Sequence, residues 1–137
     1  MKSKLARFVS IGALLLLGGI AAAQAGNTTP TVIDVKGGAA MQSSGALLLD
    51  VREPQEYAQG HAPGSVLIPL GELDQRLAEI SQYKDKPVAL ICRSGNRSAH
   101  AQKVLLKAGF TATTNIEGGM IAWQRAGLPV ISGMASR

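Results

Sequence analysis

Cysteine is nearly absent from this chain of 137 residues, which contains Cys92 and no other. A single cysteine excludes an intramolecular disulfide framework, a CxxC redox pair and a zinc site with several cysteine ligands. No group of histidine, cysteine and carboxylate residues has the spacing of metal ligands. We therefore expect a protein that needs no disulfide, no metal and no other cofactor.

Charged and aromatic residues are also scarce, at 17% and 4% of the chain. With 46% hydrophobic residues, this composition is that of a globular protein and excludes a disordered chain. The net charge of +5 would suit a nucleic-acid binder, but three of the fourteen cations lie in the first 25 residues. The remainder has eleven cations, nine acids and four aromatic residues, which is too little for nucleic-acid binding.

The first 25 residues have the pattern of a secretory signal peptide. Three cations precede an uncharged, mostly apolar run over residues 8–23, and residues 23–25 read AQA, a small-x-small cleavage site. The run is shorter than the ~20 residues of a membrane span, although an uncleaved amino-terminal anchor remains the alternative. We predict cleavage before Gly26, a domain over residues 26–137, periplasmic localisation and no stable membrane association after cleavage.

The rest of the chain alternates apolar or β-branched runs with stretches of helical character. Continuous apolar runs, such as residues 46–50 and 88–92, are typical of strands that are covered on both faces. Further strands are predicted over residues 31–35, 66–68 (also buried) and 113–116; helices over 54–60, 70–80, 98–108 and 119–126; and a weak helix or turn over 37–44. This alternation predicts an α/β fold with an open, mainly parallel sheet and helices on both faces.

Polar residues follow three of these strands. In open parallel sheets function collects at the carboxyl ends of the strands, where Asp50, Cys92 and Glu117 are expected. After the cysteine comes a short polar loop, which consists of Arg93, Ser94, Gly95, Asn96, Arg97 and Ser98. This loop is the predicted substrate-binding segment.

The composition of the loop favours negative charge on Cys92. Gly95 and Asn96 tolerate positive φ, so backbone N–H groups can point at one centre. A helix that begins near Ser98 adds its positive end, and the two arginines add formal charge. Together these groups predict a lowered pKa for the thiol and a cradle for an anionic substrate. The alternative is that Cys92 is a small hydrophobic residue at the end of a buried strand.

Three segments resemble the rhodaneses, a family of sulfurtransferases, and in particular its exported single-domain members. Residues 47–57 (LLLDVREPQEY) with 60–65 (GHAPGS) are similar to its first signature, 92–98 (CRSGNRS) to its active-site loop and 117–123 (EGGMIAW) to its C-terminal signature. The resemblance implies a persulfide on Cys92, formed from thiosulfate or a persulfide donor. The outer sulfur then passes to cyanide or a thiol, without a metal, and a protein acceptor is left open.

Asp50, Arg52 and His61 are expected to support the site rather than to take part in the reaction. The carboxylate of Asp50 would order the nearby loops, Arg52 would pair locally with an acid, and His61 would fix a turn by hydrogen bonding. Glu117 is expected at the rim of the pocket, and Trp123 is expected to anchor the last helix in the core.

Two other functions remain open from the sequence. One is a persulfide carrier or binding module with little turnover of its own, and the intact loop favours the enzyme over it. The other is a thiol-dependent phosphatase or arsenate reductase. Related phosphatases have one more loop residue, whereas Arg97 lies five positions after Cys92, and this difference disfavours that function. We therefore predict that the chain is a sulfurtransferase, ahead of these two alternatives.

Overall fold

Five strands and five α-helices alternate along residues 30–134, the part of the chain that the computed structural model describes. The strands are β1 Thr31–Ile33, β2 Leu47–Asp50, β3 Val66–Leu67, β4 Val88–Ile91 and β5 Thr113–Ile116. The helices are α1 Val35–Ser43, α2 Pro54–Gln59, α3 Leu73–Arg76, α4 Asn96–Lys107 and α5 Gly119–Arg125, with 3₁₀ turns over Leu70–Glu72 and Leu77–Tyr83 on either side of α3. All strand pairs are parallel, in the order β1-β5-β4-β2-β3, so the predicted α/β fold is confirmed.

The central strands β2 and β4 are buried along their whole length, as their continuous apolar runs predict. Successive side chains point to opposite faces of the sheet, so each strand contributes to two cores. On one face Leu49 and Leu90 pack with Leu105 of α4. On the other face Leu48 and Ile91 pack with Trp123 of α5 and with residues of α1. Helices therefore cover both faces, as expected.

The edges of the sheet differ from the sequence-based expectation. The predicted buried strand over residues 66–68 is a two-residue edge strand, and Val66 is 41% exposed because β3 pairs on one side only. The strand predicted over residues 31–35 ends at Ile33. Helix α1 begins at Val35 because the Asp34 carboxylate caps it, accepting a hydrogen bond from Gly37 N–H at 2.8 Å.

The predicted signal peptide lies outside the described residues. Within residues 30–134, no helix is long and apolar enough to cross a membrane. The strand register places the carboxyl ends of the strands side by side, since Asp50 pairs with Ile91 and Ile33 pairs with Ile116. Cys92 and Glu117 follow β4 and β5, so they lie at the same end of the strands as Asp50. The candidate site is at this carboxyl end.

Candidate active site

The loop after β4 is short because α4 begins at Asn96, two residues before the expected start. Gly95 supplies the positive φ (107°) that turns the chain from the strand into the helix. Asn96, which also tolerates positive φ, does not adopt it. Asn96 is the first residue of α4, and in the described part of the chain only glycines have positive φ.

Hydrogen-bond donors surround the Cys92 sulfur. Gly95 N–H donates to Sγ at 3.1 Å, and the Ser98 hydroxyl lies 3.3 Å from it. The thiol is only 1% exposed. Burial raises the pKa of Cys92, but hydrogen bonds from the Ser98 hydroxyl and from the backbone N–H groups of Ser98, Gly95 and Ser94 outweigh it. The pKa of Cys92 therefore lies below its ordinary value, which favours the nucleophilic thiolate over the thiol.

Asn115 on β5 orders these donors, and sequence analysis missed it. Its Oδ1 accepts a hydrogen bond from Ser98 Oγ at 2.6 Å, and its Nδ2 donates to Gly95 O at 3.2 Å. The signal in the sequence is an amide within the predicted strand over residues 113–116, since asparagine is uncommon in strands. Asn115 is buried. A hydroxyl has a single proton, so Ser98 donates either to Asn115 or to Cys92 at one time.

The start of α5 fixes the other side of the loop. Met120 N–H donates to Cys92 O at 2.8 Å and Ile121 N–H donates to Arg93 O at 3.1 Å. Since the C=O and N–H of one peptide point in opposite directions, the Arg93 carbonyl bond turns the Ser94 N–H towards Sγ. Gly119 permits this approach, because a Cβ there would meet the Arg93 carbonyl carbon and oxygen at 2.5 Å.

Arg97 does not point at the sulfur, contrary to the expected convergence of two arginines on it. Its two terminal nitrogens donate to Glu56 of α2 at 2.7 and 2.8 Å, which joins the loop to a helix 41 residues earlier. Hydrogen bonds from Arg97 lower the pKa of Glu56 to about 2. Arg93 is exposed, and its side chain makes no hydrogen bond or ion pair within residues 30–134.

None of the three expected supporting residues makes a hydrogen bond to Cys92, and their own partners lie in or next to α2. Buried Asp50 and Arg52 form an ion pair at 2.7 Å, and Arg52 also donates to Gly60 O at 2.8 Å and to Glu56 O at 3.3 Å. His61 Nδ1 lies 2.8 Å from Tyr57 O, and the two rings stack with centroids 3.6 Å apart. These contacts fix the end of α2 and the turn after it; their effect on catalysis stays a prediction.

A polar groove of about 360 Å³ adjoins the loop. Its walls include Arg52, Glu56, Arg93, Met120, Ile121 and Gln124. Glu117, expected at the rim, is not among the residues that line this groove, because the first turn of α5 occupies that position. Trp123 is buried and donates its indole N–H to Pro129 O at 2.9 Å, which confirms its place in the core. No cluster of three potential metal ligands occurs within the described residues.

Comparisons with known proteins agree with the motif resemblance. The sequence profile described as rhodanese-like domain matches residues 21–126. A protein named sulfurtransferase from Allochromatium vinosum is 42% identical over 86 residues, 63% of this chain and 78% of that protein. The thiosulfate sulfurtransferase of Pseudomonas aeruginosa has a crystal structure with a TM-score of 0.69 and 27% identity, over 79% of this chain but 21% of its own. The polysulfide-sulfur transferase homodimer of Wolinella succinogenes has a TM-score of 0.67 and 28% identity, over 79% and 82%.

The family match covers most of the chain and includes Cys92, the loop and the start of α5. The fold neighbours and the sulfurtransferase relative point to the same chemistry, the transfer of sulfur. The chain spans about a fifth of the Pseudomonas protein, so that protein's substrate is a property of that protein alone. On these grounds the chain belongs to the rhodanese-like domain family and is a sulfurtransferase.

Proposed function

We propose that Cys92 carries the transferred sulfur as a persulfide, which it takes from thiosulfate or a persulfide and gives to cyanide or a thiol. The observation that carries this proposal is the set of N–H and O–H donors around Sγ of the only cysteine in the chain. The loading step needs a thiolate, and the lowered pKa of Cys92 favours that form. The name of the Wolinella neighbour supports donors other than thiosulfate.

The reaction has two displacements. The Cys92 thiolate attacks the outer sulfur of thiosulfate; the new S–S bond forms as the old one breaks, and sulfite leaves with the electron pair. The negative charge then lies on the outer sulfur of the persulfide, about 2 Å from Sγ. The backbone N–H groups of Asn96 and Arg97, at the start of α4, have no partner within residues 30–134 and would stabilise it. Cyanide or a thiolate then attacks the outer sulfur and forms a bond to it. The S–S bond to Sγ breaks, its electron pair stays on Sγ, and the Cys92 thiolate is restored.

We also propose that the protein is exported. The support is the order of cations, apolar run and AQA in the first 25 residues. Amino-terminal sequencing of protein from the cell envelope should give Gly26 as the first residue. An intact Met1 in the membrane fraction would contradict export by cleavage and would favour an anchor.

Intact-mass measurement tests the sulfur chemistry. Protein incubated with thiosulfate should gain the mass of one sulfur, and cyanide should remove it with repeated release of thiocyanate. Cys92→Ser should gain nothing while its circular dichroism spectrum stays that of the wild type. Thiocyanate from folded Cys92→Ser would refute the covalent mechanism. A stable gain with little turnover would favour the carrier, and hydrolysis of an aryl phosphate without any gain would favour the phosphatase.

A further inference from the structure

The charges beside the active-site loop nearly cancel. Arg52 is paired with buried Asp50, and Arg97 is paired with Glu56 through two hydrogen bonds. Arg93 is the one guanidinium of this region without a partner among residues 30–134, and it lines the groove together with Glu56. An anion that approaches the loop through this groove therefore meets a single uncompensated positive charge.

Glu56 is firmly engaged in this arrangement. Its Oε1 accepts from Arg97, and its Oε2 accepts both from Arg97 and from the backbone N–H of Glu53 at 2.8 Å. The Glu53 contact belongs to a capping box that fixes Glu56 in the first turn of α2. With a pKa of about 2, Glu56 stays ionised at neutral pH and keeps Arg97 neutralised.

We propose that Glu56 determines the charge of the preferred sulfur donor: by pairing with Arg97 it leaves the site suited to a singly charged organic persulfide rather than to dianionic thiosulfate. This inference rests on the proposed function and names the donor class for the same cysteine. Attack of a thiolate on thiosulfate brings three negative charges together, and Arg93 alone offsets one of them.

A persulfide donor requires less positive charge. The Cys92 thiolate attacks the terminal sulfur of R–S–SH, and a new S–S bond forms there. The donor S–S bond breaks, its electron pair leaves with R–S⁻, and the proton stays on the transferred sulfur. Because the protonated donor is neutral at its reacting end, the charges that meet in this step are those of Cys92 and of ionised groups in R.

Alkylation by two reagents of matched size tests the role of Glu56 without any turnover. Iodoacetate is an anion and iodoacetamide is neutral, and both attack the same thiolate, so the ratio of their rates is independent of the thiol pKa. Glu56→Gln keeps the size of the side chain and frees Arg97, and should raise the ratio of iodoacetate to iodoacetamide rates about threefold. Arg97→Gln leaves Glu56 uncompensated and should lower the ratio. Glu79→Gln, which breaks an exposed pair with Arg76 elsewhere, should not change it.

Single-turnover loading of Cys92, followed by intact mass, extends the test to real donors. Wild-type protein should load faster from glutathione persulfide than from thiosulfate, and Glu56→Gln should reduce this preference about threefold. Opposite shifts for Glu56→Gln and Arg97→Gln support the inference, because general loss of structure would move both in one direction. Unchanged ratios in a protein that does load sulfur overturn the inference alone. If wild-type Cys92 gains sulfur from neither donor, the proposed function fails, and the donor preference fails with it.

Discussion

Replacement of Ser98 by alanine removes one side-chain donor from Cys92 and leaves the backbone donors in place. The hydroxyl lies 3.3 Å from Sγ, whereas the N–H of Gly95, at 3.1 Å, belongs to a backbone that Asn115 and α5 keep in position. Burial continues to raise the thiol pKa while one opposing hydrogen bond is lost. Ser98→Ala should therefore raise the pKa of Cys92 and decrease the thiolate fraction.

The size of the effect follows from the shared proton. A hydrogen bond to a charged group contributes about 1.5–3 kcal/mol. Since about 1.4 kcal/mol is a factor of ten, this range corresponds to about tenfold to a hundredfold in the ratio of thiolate to thiol. Donation to sulfur, however, costs Ser98 its 2.6 Å bond to Asn115. We therefore expect the lower end of the range, about tenfold less thiolate on the acid side of the titration.

The pH dependence of alkylation by iodoacetamide measures this ratio, and the single cysteine makes the signal unambiguous. Ser94→Ala is the matched control, because Ser94 contributes its backbone N–H to Cys92 and alanine keeps that group. Ser98→Ala should shift the profile to higher pH, and Ser94→Ala should not. If the two profiles coincide with that of the wild type, the Ser98 proton stays on Asn115 and the backbone alone lowers the pKa.

Three further variants test the packing and the charges around the loop. Gly119→Ala places a Cβ against the Arg93 carbonyl at φ +54° and should lower the free energy of unfolding in urea by more than about 2 kcal/mol. Gly127→Ala, at φ +70° but with open space around it, should lower it by about 1 kcal/mol, and equal losses would contradict the contact. The pKa of Glu56 is lowered from 4.5 to about 2, and its ion pair with Arg97 should stabilise the fold by about 1 kcal/mol above pH 4.5, because both side chains are about a third exposed. This contribution to the free energy of unfolding should disappear as the pH falls towards 2, and it should be absent in Glu56→Gln. Asn115→Ala should lower the free energy of unfolding by about 1–3 kcal/mol, because Gly95 O and Ser98 lose a buried partner; a smaller loss would mean that water replaces the amide.

The central strands could be predicted from the sequence because a strand that is buried on both faces has a continuous apolar run. The runs at residues 46–50 and 88–92 are apolar at every position until the terminal Asp50 and Cys92, and both became fully buried strands. The position of the cysteine at a strand end followed directly. An edge strand is harder to recognise from its sequence. Val66 is as apolar as a core residue, but it lies in β3, which pairs on one side only.

Side-chain partners across the fold were not predictable from local spacing. Arg97 pairs with Glu56, 41 residues away, and long flexible side chains can reach several partners once the helices pack. Asn115 acts through two contacts that exist only when β5 lies beside β4. Asn96 tolerates the left-handed conformation, but Gly95 adopts it first and α4 then begins at once.

The lowered pKa of Cys92 was expected from inward-pointing backbone N–H groups, from the start of a helix and from two arginines. The structure assigns it to the backbone N–H groups and the Ser98 hydroxyl, and no arginine is among its causes. Formal charge can be read from a sequence, whereas the direction of an N–H group depends on what its peptide carbonyl binds. Here the carbonyls of Cys92 and Arg93 bind the start of α5, and this contact requires the missing Cβ of Gly119. The amides and the Ser98 hydroxyl thus lower the pKa of the sulfur, whereas Arg93 and Arg97 act on the charge of the incoming donor. Changes in α5 should therefore alter the nucleophile, and changes in Glu56 or Arg97 should alter the choice of donor.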